Sequence, residues 1–566
     1  MTRMRILCGT IAVAILAVFS LAATANARTA FTAEFRDGLS EWKRDAQGVV
    51  LSVENFSGED VLVVRRDPKF AKKGTEWSLI GKSFPVTPGN RLVVTVRVRS
   101  SFKDLRFCRG YNGNYLTGIY WYDRDGRRMR LPHGFGYELK ADGWCWTVSS
   151  AVVPEGAANA RLSIGMDKPD FTSNDWFAVS SARVDEWRPD DSGSTTALRD
   201  DGAVLVDGKP FFPIGIYAIL PCERNGNSID TALRDLKAAG FNMVHRTRPT
   251  PEDENEEFLS LADKHGLKVM AMPMPKYESD IVGDSLVAKQ MRHPSVLAWY
   301  VADDTASHAG PEEVAWRTKV CKAYDPARLT LQADFLLIGW ANNRYERYVN
   351  STDIFLPEVY PVSVNTVYPN GGEVAEVVRD MKATRTAIVA AGSPVKSVWP
   401  IIQHFEGWGA WKRFPTFAEL RAMCWESIIH GGNGIVWYVY HAKNGKGRGV
   451  VSSDEHWREI TAMSSEISAL SGDLLTRTAE EQPEVEVLFG PDKDCFGHPS
   501  VSVLLKTGES PLLATVNATT NKVKAALRIK GFRKADLVGG GAVLDASDGI
   551  KDEWGPYGVR LYRLSR

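Results

Sequence analysis

The stretch from residue 203 to residue 475 repeats one pattern, in which a short apolar run is followed by a segment with helical periodicity. A parallel strand buried on both faces gives such a continuous apolar run. The predicted strands are 211–217, 241–245, 267–272, 295–302, 329–333, 353–359, 398–405 and 434–440. Eight strand–helix units predict a closed (β/α)8 TIM barrel. An open doubly wound sheet is less compatible, because no Gly-x-Gly-x-x-Gly motif opens a unit.

The composition changes on both sides of this repeat. Residues 28–190 and 480–566 alternate apolar and polar residues between turns rich in Gly, Pro, Asn and Asp, which is typical of antiparallel strands. We therefore expect a multi-domain protein whose barrel, at 201–475, lies between an N-terminal β-sandwich and a small C-terminal β-sandwich. A polar segment at 191–200 is the predicted linker.

Tryptophans recur through the N-terminal sandwich, among them Trp42, Trp144 and Trp187. Their order, with glycine or acidic residues beside them, resembles the jelly-roll carbohydrate-binding modules attached to secreted glycosidases. This resemblance implies a sugar-binding role, while a purely structural sandwich is the equal alternative.

The first 27 residues have the pattern of a secretory signal peptide. Arg3 and Arg5 precede an apolar segment, and an Ala-x-Ala motif ends at Ala27. A secreted or periplasmic protein is therefore expected. No later apolar run is long enough for a membrane span.

Charge and cysteine usage exclude several other classes of protein. Lys plus Arg and Asp plus Glu balance at 69 each, so no nucleic-acid partner is expected. Cysteines are widely scattered, and Cys108 with Cys145 is the single disulfide that we propose from the sequence. No Cys-x-x-Cys or His-Glu-x-x-His motif is present, so neither a metal site nor a cofactor is predicted. The oligomeric state stays open.

Polar and aromatic residues follow several predicted strands at the ends where barrel enzymes hold their catalytic groups. Asp303 and Asp304 follow strand four, Glu358 lies near the end of strand six, and Glu406 comes shortly after strand seven. Candidate substrate-binding residues at the same rim are Arg246, Tyr360, Gln403, His404, Trp408, Trp411, Trp437 and His441. Because these ends converge in a barrel, the sequence predicts one site.

Paired carboxylates with aromatic side chains around them are the groups that hydrolyse glycosidic bonds. One carboxyl group protonates the leaving oxygen, while the other attacks the anomeric carbon or activates water. Repulsion between the adjacent charges of Asp303 and Asp304 raises one pKa, which suits a proton donor. A poly- or oligosaccharide is therefore the predicted substrate.

The predicted barrel resembles the clan A glycoside hydrolases, the superfamily that includes many β-galactosidases, β-glucosidases and β-mannanases. The resemblance rests on the entry hairpin 206–212, the segment 293–300 before the strand-four acids, and Tyr360. Arg246 and Trp437 are compatible with it. It implies a (β/α)8 fold, an Asn-Glu pair at the end of strand four that provides the acid/base, and a nucleophilic Glu on strand seven.

This chain departs from the clan pattern at both catalytic positions. Asp303 and Asp304 replace Asn-Glu, and Gln403 or His404 stands where the nucleophile is expected. Three mechanisms remain, which pair Asp304 with Glu406, pair Asp304 with Glu358, or use one carboxylate to activate water for inversion. We favour Asp304 with Glu358, because neither depends on an irregular loop. The alternative is a non-catalytic carbohydrate-binding protein on a degenerate barrel.

Overall fold

The computed structural model describes residues 28–566 except for 57, 71–75, 103–115, 131, 138, 140–142, 169, 189–191, 218, 220–225, 227, 247–251, 274–285, 306–308, 336–344, 364–372, 393–395, 442–447 and 542. The predicted signal peptide and Cys108 lie outside the described residues. The leader and the Cys108–Cys145 pair therefore stay predictions. Among the described helices, none is both long and apolar enough to cross a membrane.

Two antiparallel sheets form the N-terminal sandwich. Its strands are β1 (Arg28–Glu34), β2 (Lys43–Gln47), β3 (Val49–Phe56), β4 (Glu59–Arg66), β5 (Glu76–Ile80), β6 (Phe84–Pro85), β7 (Arg91–Ser100), β8 (Gly118–Tyr122), β9 (His133–Gly134), β10 (Cys145–Val152), β11 (Asn159–Asp167) and β12 (Trp176–Trp187). One sheet has the order β10-β7-β12-β4-β3 with β1 also on β12, and the other has the order β2-β5-β11-β8-β9 with β6 on β11. Alternate apolar residues from both sheets share one core.

A short three-stranded sheet leads into the barrel and is formed by β13 (Thr196–Leu198), β14 (Val204–Val206) and β15 (Lys209–Phe211). The expected hairpin turn is present, since Val206 pairs with Lys209 across Asp207 and Gly208. Both turn residues have positive φ, of 50° and 75°, as a two-residue hairpin loop requires. Strand β13 falls within the predicted linker 191–200, so part of that segment is a paired strand.

A closed parallel barrel forms the centre of the chain. Its strands are β16 (Ile214–Ile216), β17 (Met243–His245), β18 (Lys268–Ala271), β19 (Val296–Ala302), β20 (Leu329–Asp334), β21 (Ile354–Val359), β22 (Ser397–Val398) with β23 (Ile401–Gln403), and β24 (Ile435–Tyr438). Each strand pairs with the next, and β24 pairs with β16 to close the sheet. Strand seven is split because Pro400 has no N–H for the ladder. The predicted barrel is thus confirmed.

Helices follow most barrel strands and cover the outside. Their bounds are α1 (Ile229–Ala238), α2 (Glu252–His265), α3 (Leu286–Gln290), α4 (Pro311–Tyr324), α5 (Ala375–Ala390), α6 (Phe417–Ile429) and α7 (Asp454–Leu474). Short 3-10 turns lie at Phe35–Asp37, Tyr345–Arg347 and Val450–Ser452. A capping box fixes the start of α6, where Thr416 and Glu419 exchange side-chain to backbone hydrogen bonds. Helix α7 comes after the last barrel strand and precedes the C-terminal sandwich.

The C-terminal sandwich contains β25 (Glu484–Phe489), β26 (Val501–Leu505), β27 (Leu512–Asn517), β28 (Val523–Arg528), β29 (Lys534–Leu537), β30 (Val543–Asp545), β31 (Ile550–Trp554) and β32 (Val559–Ser565). Its sheets have the orders β25-β28-β31 and β26-β27-β32-β29-β30. It joins the barrel through an ion pair of Arg563 with Asp473 on α7 and through packing against α6. The N-terminal sandwich joins on α4, where Tyr324 stacks on Trp187 at 5.3 Å.

Side chains alternate between the inside and the outside of the barrel. Tyr300 and Val436 belong to the apolar cluster inside the barrel, whereas Trp299 and Trp437 belong to the cluster between strands and helices. Trp299 is fully buried, and its indole donates a 3.1 Å hydrogen bond to Asp325. The alternation decides which side chain at each strand end can reach the mouth.

Candidate active site

Three carboxyl groups meet at the carboxyl end of the barrel. Asp303 and Asp304 directly follow β19, and Glu358 is the last residue but one of β21. One carboxylate oxygen of each lies within 4.8 Å of the others. The structure therefore brings together the strand-four and strand-six acids that the sequence singled out.

The backbone at Asp304 is left-handed, with φ of 46°. Few residues other than glycine adopt this conformation, although Asp and Asn tolerate it best. Strained backbone of this kind concentrates at functional sites, because the surrounding structure must hold it in place. It turns the chain immediately after the buried strand.

Glu358 is the most perturbed of the three acids. Its side chain is buried with 8% of the residue exposed. Burial raises the pKa of Glu358 well above its usual range, and the neighbouring Asp304, Asp303 and Asp334 raise it further. A hydrogen bond from Tyr360 opposes this shift without cancelling it. Glu358 therefore keeps its proton where an ordinary glutamate is ionised.

Two buried tyrosines hold Asp303. The hydroxyl of Tyr217 donates to that of Tyr300 at 3.0 Å, and Tyr300 donates to Oδ1 of Asp303 at 2.7 Å. Burial and then the charge of Asp303 raise the pKa of both phenols well above 10, so both remain donors. His245 packs against both rings, with centroids at 4.4 and 4.7 Å. This chain of hydrogen bonds fixes the position of the Asp303 carboxylate.

Sequence reasoning missed Asp334, Tyr217 and Tyr300. Asp334 ends β20, accepts a hydrogen bond from Thr305 and contributes to the raised pKa of Glu358. The predicted fifth strand stopped at residue 333, so extending it by one residue would have added this acid to the rim. The tyrosines lay inside predicted apolar runs and carried no separate signal.

Aromatic side chains line one side of the mouth. Trp408 lies 5.6 Å from Tyr438, and Trp411 lies 5.9 Å from Tyr360, measured between ring centroids. The indole of Trp411 also donates a 2.8 Å hydrogen bond to the carbonyl of Tyr360. Both tryptophans are half-buried, and each keeps part of its surface exposed. Rings of this kind can stack against a sugar face, so the predicted roles of Trp408, Trp411 and Tyr360 fit their positions.

Three predicted substrate-binding residues are directed elsewhere. Gln403 is buried, and its amide forms two hydrogen bonds to the backbone of Val362, at 2.9 and 3.0 Å. His404 faces α7, and Trp437 packs on Phe241 between strand eight and the helices. The physical reason is the alternation of side chains along strands seven and eight, which turns His404 and Trp437 away from the mouth. We correct the prediction for these residues.

The remaining candidates lie at the edge of the site. Glu406 forms an ion pair with Arg448 and is not in the group of three carboxylates. The guanidinium carbon of Arg246 lies 5.4 Å from the ring centre of Phe258 on α2. His441 is half-buried after strand eight, and burial lowers its pKa.

His293, part of the motif that carried the resemblance, lies at the opposite end of strand four. Its Nδ1 is 2.7 Å from Asp263, and its Nε2 is 3.0 Å from Glu256. Burial lowers the pKa of His293, but these carboxylates raise it above its usual value overall. His293 therefore fastens strand four to α2 and takes no part in the mouth.

Within the described residues, two groups of side chains have the geometry to hold a metal ion. One group, the carboxyl group cluster, consists of Asp303, Asp304 and Glu358. The other consists of His404, His456 and Glu459. In the first group the raised pKa of Glu358 relieves the repulsion by protonation.

The chain was compared with known proteins, and no family model matches it. It is 25% identical over 155 residues to a β-glucuronidase of Pongo abelii, a match covering 24% of each chain. It is 26% identical over 191 residues to a β-glucuronidase of Rattus norvegicus, which covers 31% of this chain and 28% of that one. The match thus spans about a quarter of the curated relatives' length.

Among solved structures, a glycoside hydrolase family 5 protein from Bacteroides vulgatus aligns with a TM-score of 0.45 at 14% identity. That alignment covers 65% of this chain and 93% of the other. The sequence matches make this chain similar to β-glucuronidases, which are glycoside hydrolases, over about a quarter to a third of its length.

Proposed function

We propose that the protein is a retaining glycoside hydrolase in which Glu358 is the acid/base and Asp304 is the nucleophile. The observation that carries this proposal is the approach of their oxygens to within 4.8 Å, one group buried with a raised pKa and the other on a strained turn. A proton donor and a nucleophile need opposite protonation states, and the raised pKa of Glu358 suits the donor.

The separation of the acids supports retention of anomeric configuration. Retaining enzymes place their carboxyl groups about 5–5.5 Å apart, whereas inverting enzymes need about 6.5–9.5 Å to admit a water molecule. One oxygen of Asp304 and one of Glu358 lie within 4.8 Å of each other, which is nearer to the retaining separation than to the inverting one. Direct attack by Asp304 on the anomeric carbon fits the space.

The reaction then proceeds in two steps. Glu358 donates its proton to the glycosidic oxygen while Asp304 bonds to the anomeric carbon, and the alcohol or sugar leaves. Water next attacks that carbon, gives its proton to Glu358 and releases Asp304. Asp303, held by Tyr300, provides a fixed negative charge beside the developing oxocarbenium ion.

This assignment reverses the roles expected from the sequence. The clan resemblance implies that the acid at the end of strand four is the proton donor, which would be Asp304. The raised pKa belongs to Glu358 on strand six, so the proton is better placed there. The missing strand-seven carboxylate is thereby replaced without a contribution from Glu406.

The relatives guide the choice of substrate. They are named β-glucuronidases, so an aryl β-glucuronide is the first substrate to test, followed by other aryl glycosides and by plant and algal polysaccharides. The signal peptide predicted at 1–27 supports an activity outside the cytoplasm, where polysaccharides are met.

The N-terminal sandwich offers a second sugar-contacting surface on its outer face. Trp144 and Trp176 are half-buried there, with the guanidinium groups of Arg97 and Arg99 at 5.0 and 5.6 Å from their respective rings. Phe56 extends this aromatic strip. Exposed aromatic faces beside cations suit a polysaccharide chain, so we include carbohydrate binding by this sheet in the proposal.

The test is turnover of the substrate panel by the wild-type protein, with the anomer of the first product followed by NMR. We expect retention, loss of turnover in Asp304→Asn and Glu358→Gln, and activity close to wild type in Glu406→Gln. An Asp304→Gly variant supplied with azide should form a glycosyl azide of inverted configuration.

Two results would contradict the proposal. Unchanged turnover in either Asp304→Asn or Glu358→Gln rules out this pair of acids. Sugar binding without turnover by the wild-type protein on the whole panel favours the carbohydrate-binding alternative.

A further inference from the structure

A second group of polar side chains lies outside the mouth, between strand seven and α7. We call it the His404 cluster, and its members are His404, His456 and Glu459. Nε2 of His404 lies 3.6 Å from Oε2 of Glu459, and Nδ1 of His456 lies 3.1 Å from the same oxygen. His456 and Glu459 are three residues apart on α7, so they share one face of the helix.

His404 is buried with little hydrogen bonding. The residue has no exposed surface, neither ring nitrogen has a partner at full hydrogen-bond distance and angle, and the backbone of His456 makes only a weak polar contact with it. Burying polar atoms without partners costs free energy, so such atoms call for an explanation. His293 shows the contrast, because both of its nitrogens face carboxylates within 3.0 Å.

The donor atoms match the requirements of a tetrahedral metal site. Bonds of about 2.0–2.2 Å to nitrogen and oxygen place neighbouring ligand atoms about 3.4 Å apart. The measured separations of 3.6 and 3.1 Å lie on either side of that value, and all three ligand atoms fit within 4.8 Å. We propose that His404, His456 and Glu459 bind one divalent transition-metal ion of the zinc class, with water as a fourth ligand.

The surroundings support metal binding. The side chains of Glu459 and His456 keep 19% and 21% of their surface exposed, which leaves an entry path. Phe414 stacks on His456 at 3.6 Å between ring centres and fixes that ring.

The metal would fasten strand seven to α7. His404 follows directly after β23, while Phe405, the next residue, turns to the inside and packs on Tyr360 and Tyr438 in the mouth. A metal ion on the outer side of strand seven would therefore hold Phe405, and the Tyr360 and Tyr438 rings that pack on it, in position. We expect thermal stabilisation as the main effect.

The experiment starts with the full-length protein, whose metal content is measured as purified and after treatment with a chelator. Zinc alone is then titrated into the chelated protein by calorimetry, and cobalt is substituted to read the coordination number from its absorption spectrum. We expect one equivalent of zinc, a four-coordinate cobalt spectrum and a higher Tm with zinc.

Variants locate the site. Two single variants should each weaken zinc binding by about tenfold or more. Glu459→Gln keeps an acceptor for His456 but lacks the charge, and His456→Ala removes one ligand. His498→Ala removes another histidine that lies 3.2 Å from a carboxylate, Asp494, in the C-terminal sandwich, and should bind zinc like the wild type.

Three outcomes would overturn the proposal. They are the absence of saturable zinc binding by the wild type, equal binding by Glu459→Gln, and loss of binding in Asp304→Asn with retention in Glu459→Gln. The last would assign the metal to the acids in the mouth. Circular dichroism of each variant separates loss of the site from loss of the fold.

Discussion

Tyr300 donates a 2.7 Å hydrogen bond to Asp303, three residues further along the same strand end. The donor is a buried side chain inside the barrel, and the acceptor is part of the carboxyl group cluster in the mouth. Asp303, an acid of the candidate site, is thus held in position by a tyrosine of the apolar core.

Replacement of Tyr300 by Phe should reduce kcat while leaving the fold intact. A hydrogen bond to a charged acceptor contributes about 1.5–3 kcal/mol, so a loss of about tenfold or more is expected. Steady-state kinetics on the best aryl glycoside measures it. Tyr562→Phe is the matched control, because Tyr562 donates a 2.6 Å bond to Asp552 in the C-terminal sandwich. Equal kinetic effects of the two variants would argue against a role for Tyr300.

Replacement of Glu358 by Gln should stop turnover and stabilise the protein at neutral and alkaline pH. The pKa of Glu358 is raised in the folded state, so between its ordinary and raised values the folded protein holds a proton that the unfolded chain has released. Stability from this group is complete below the ordinary value and is lost as the pH rises through the raised one.

Thermal unfolding across a pH series measures this effect. Wild-type Tm should fall relative to Glu358→Gln as the pH rises, with Glu406→Gln following the wild type. The activity of the wild type should fall on the same alkaline side, because only protonated Glu358 can act as the acid. A pH-independent difference between wild type and Glu358→Gln would contradict this explanation.

Replacement of Asp304 by Gly should give a more stable protein than replacement by Ala. Both variants lack the carboxylate, so they differ mainly in the cost of a φ of 46°, which is about 1 kcal/mol for a residue with a Cβ. Denaturant unfolding of the two variants compares them directly. Equal stability would mean that the turn at Asp304 is not strained in solution.

Trp408 and Trp437 should respond differently to substitution although both were predicted to contact substrate. Trp408→Ala removes a half-buried ring at the mouth and should raise KM by about tenfold. Trp437→Phe leaves a gap in the layer between strands and helices and should lower Tm with little change in KM. A raised KM in Trp437→Phe alone would reverse this distinction.

The barrel was predictable because continuous apolar runs mark parallel strands, and each predicted run overlaps one observed barrel strand or, before and after Pro400, two short ones. Asp304 and Glu358 were predictable because they stand at strand ends. The direction of the side chains at the end of strand seven could not be predicted. A shift of one residue in the strand's register decides whether His404 or Phe405 faces the inside of the barrel.

Contacts between distant parts of the chain were also beyond sequence reasoning. His456 lies 52 positions after His404, on α7, and nothing in the spacing of the two residues predicts that they meet. Tyr217 and Tyr300 likewise become functional candidates only when the closed sheet brings strands one and four to a 3.0 Å contact.

Gln403 is difficult to replace by a carboxylate, the residue type that the clan resemblance implies on strand seven. Its amide donates to the carbonyl of Val362 and accepts from the N–H of the same residue. A glutamate at this position could still accept, but its second oxygen would face the carbonyl and repel it. Replacement of Gln403 by Glu would thus break the connection between the end of strand seven and the segment after strand six, so a carboxylate at this position would loosen the mouth of the barrel.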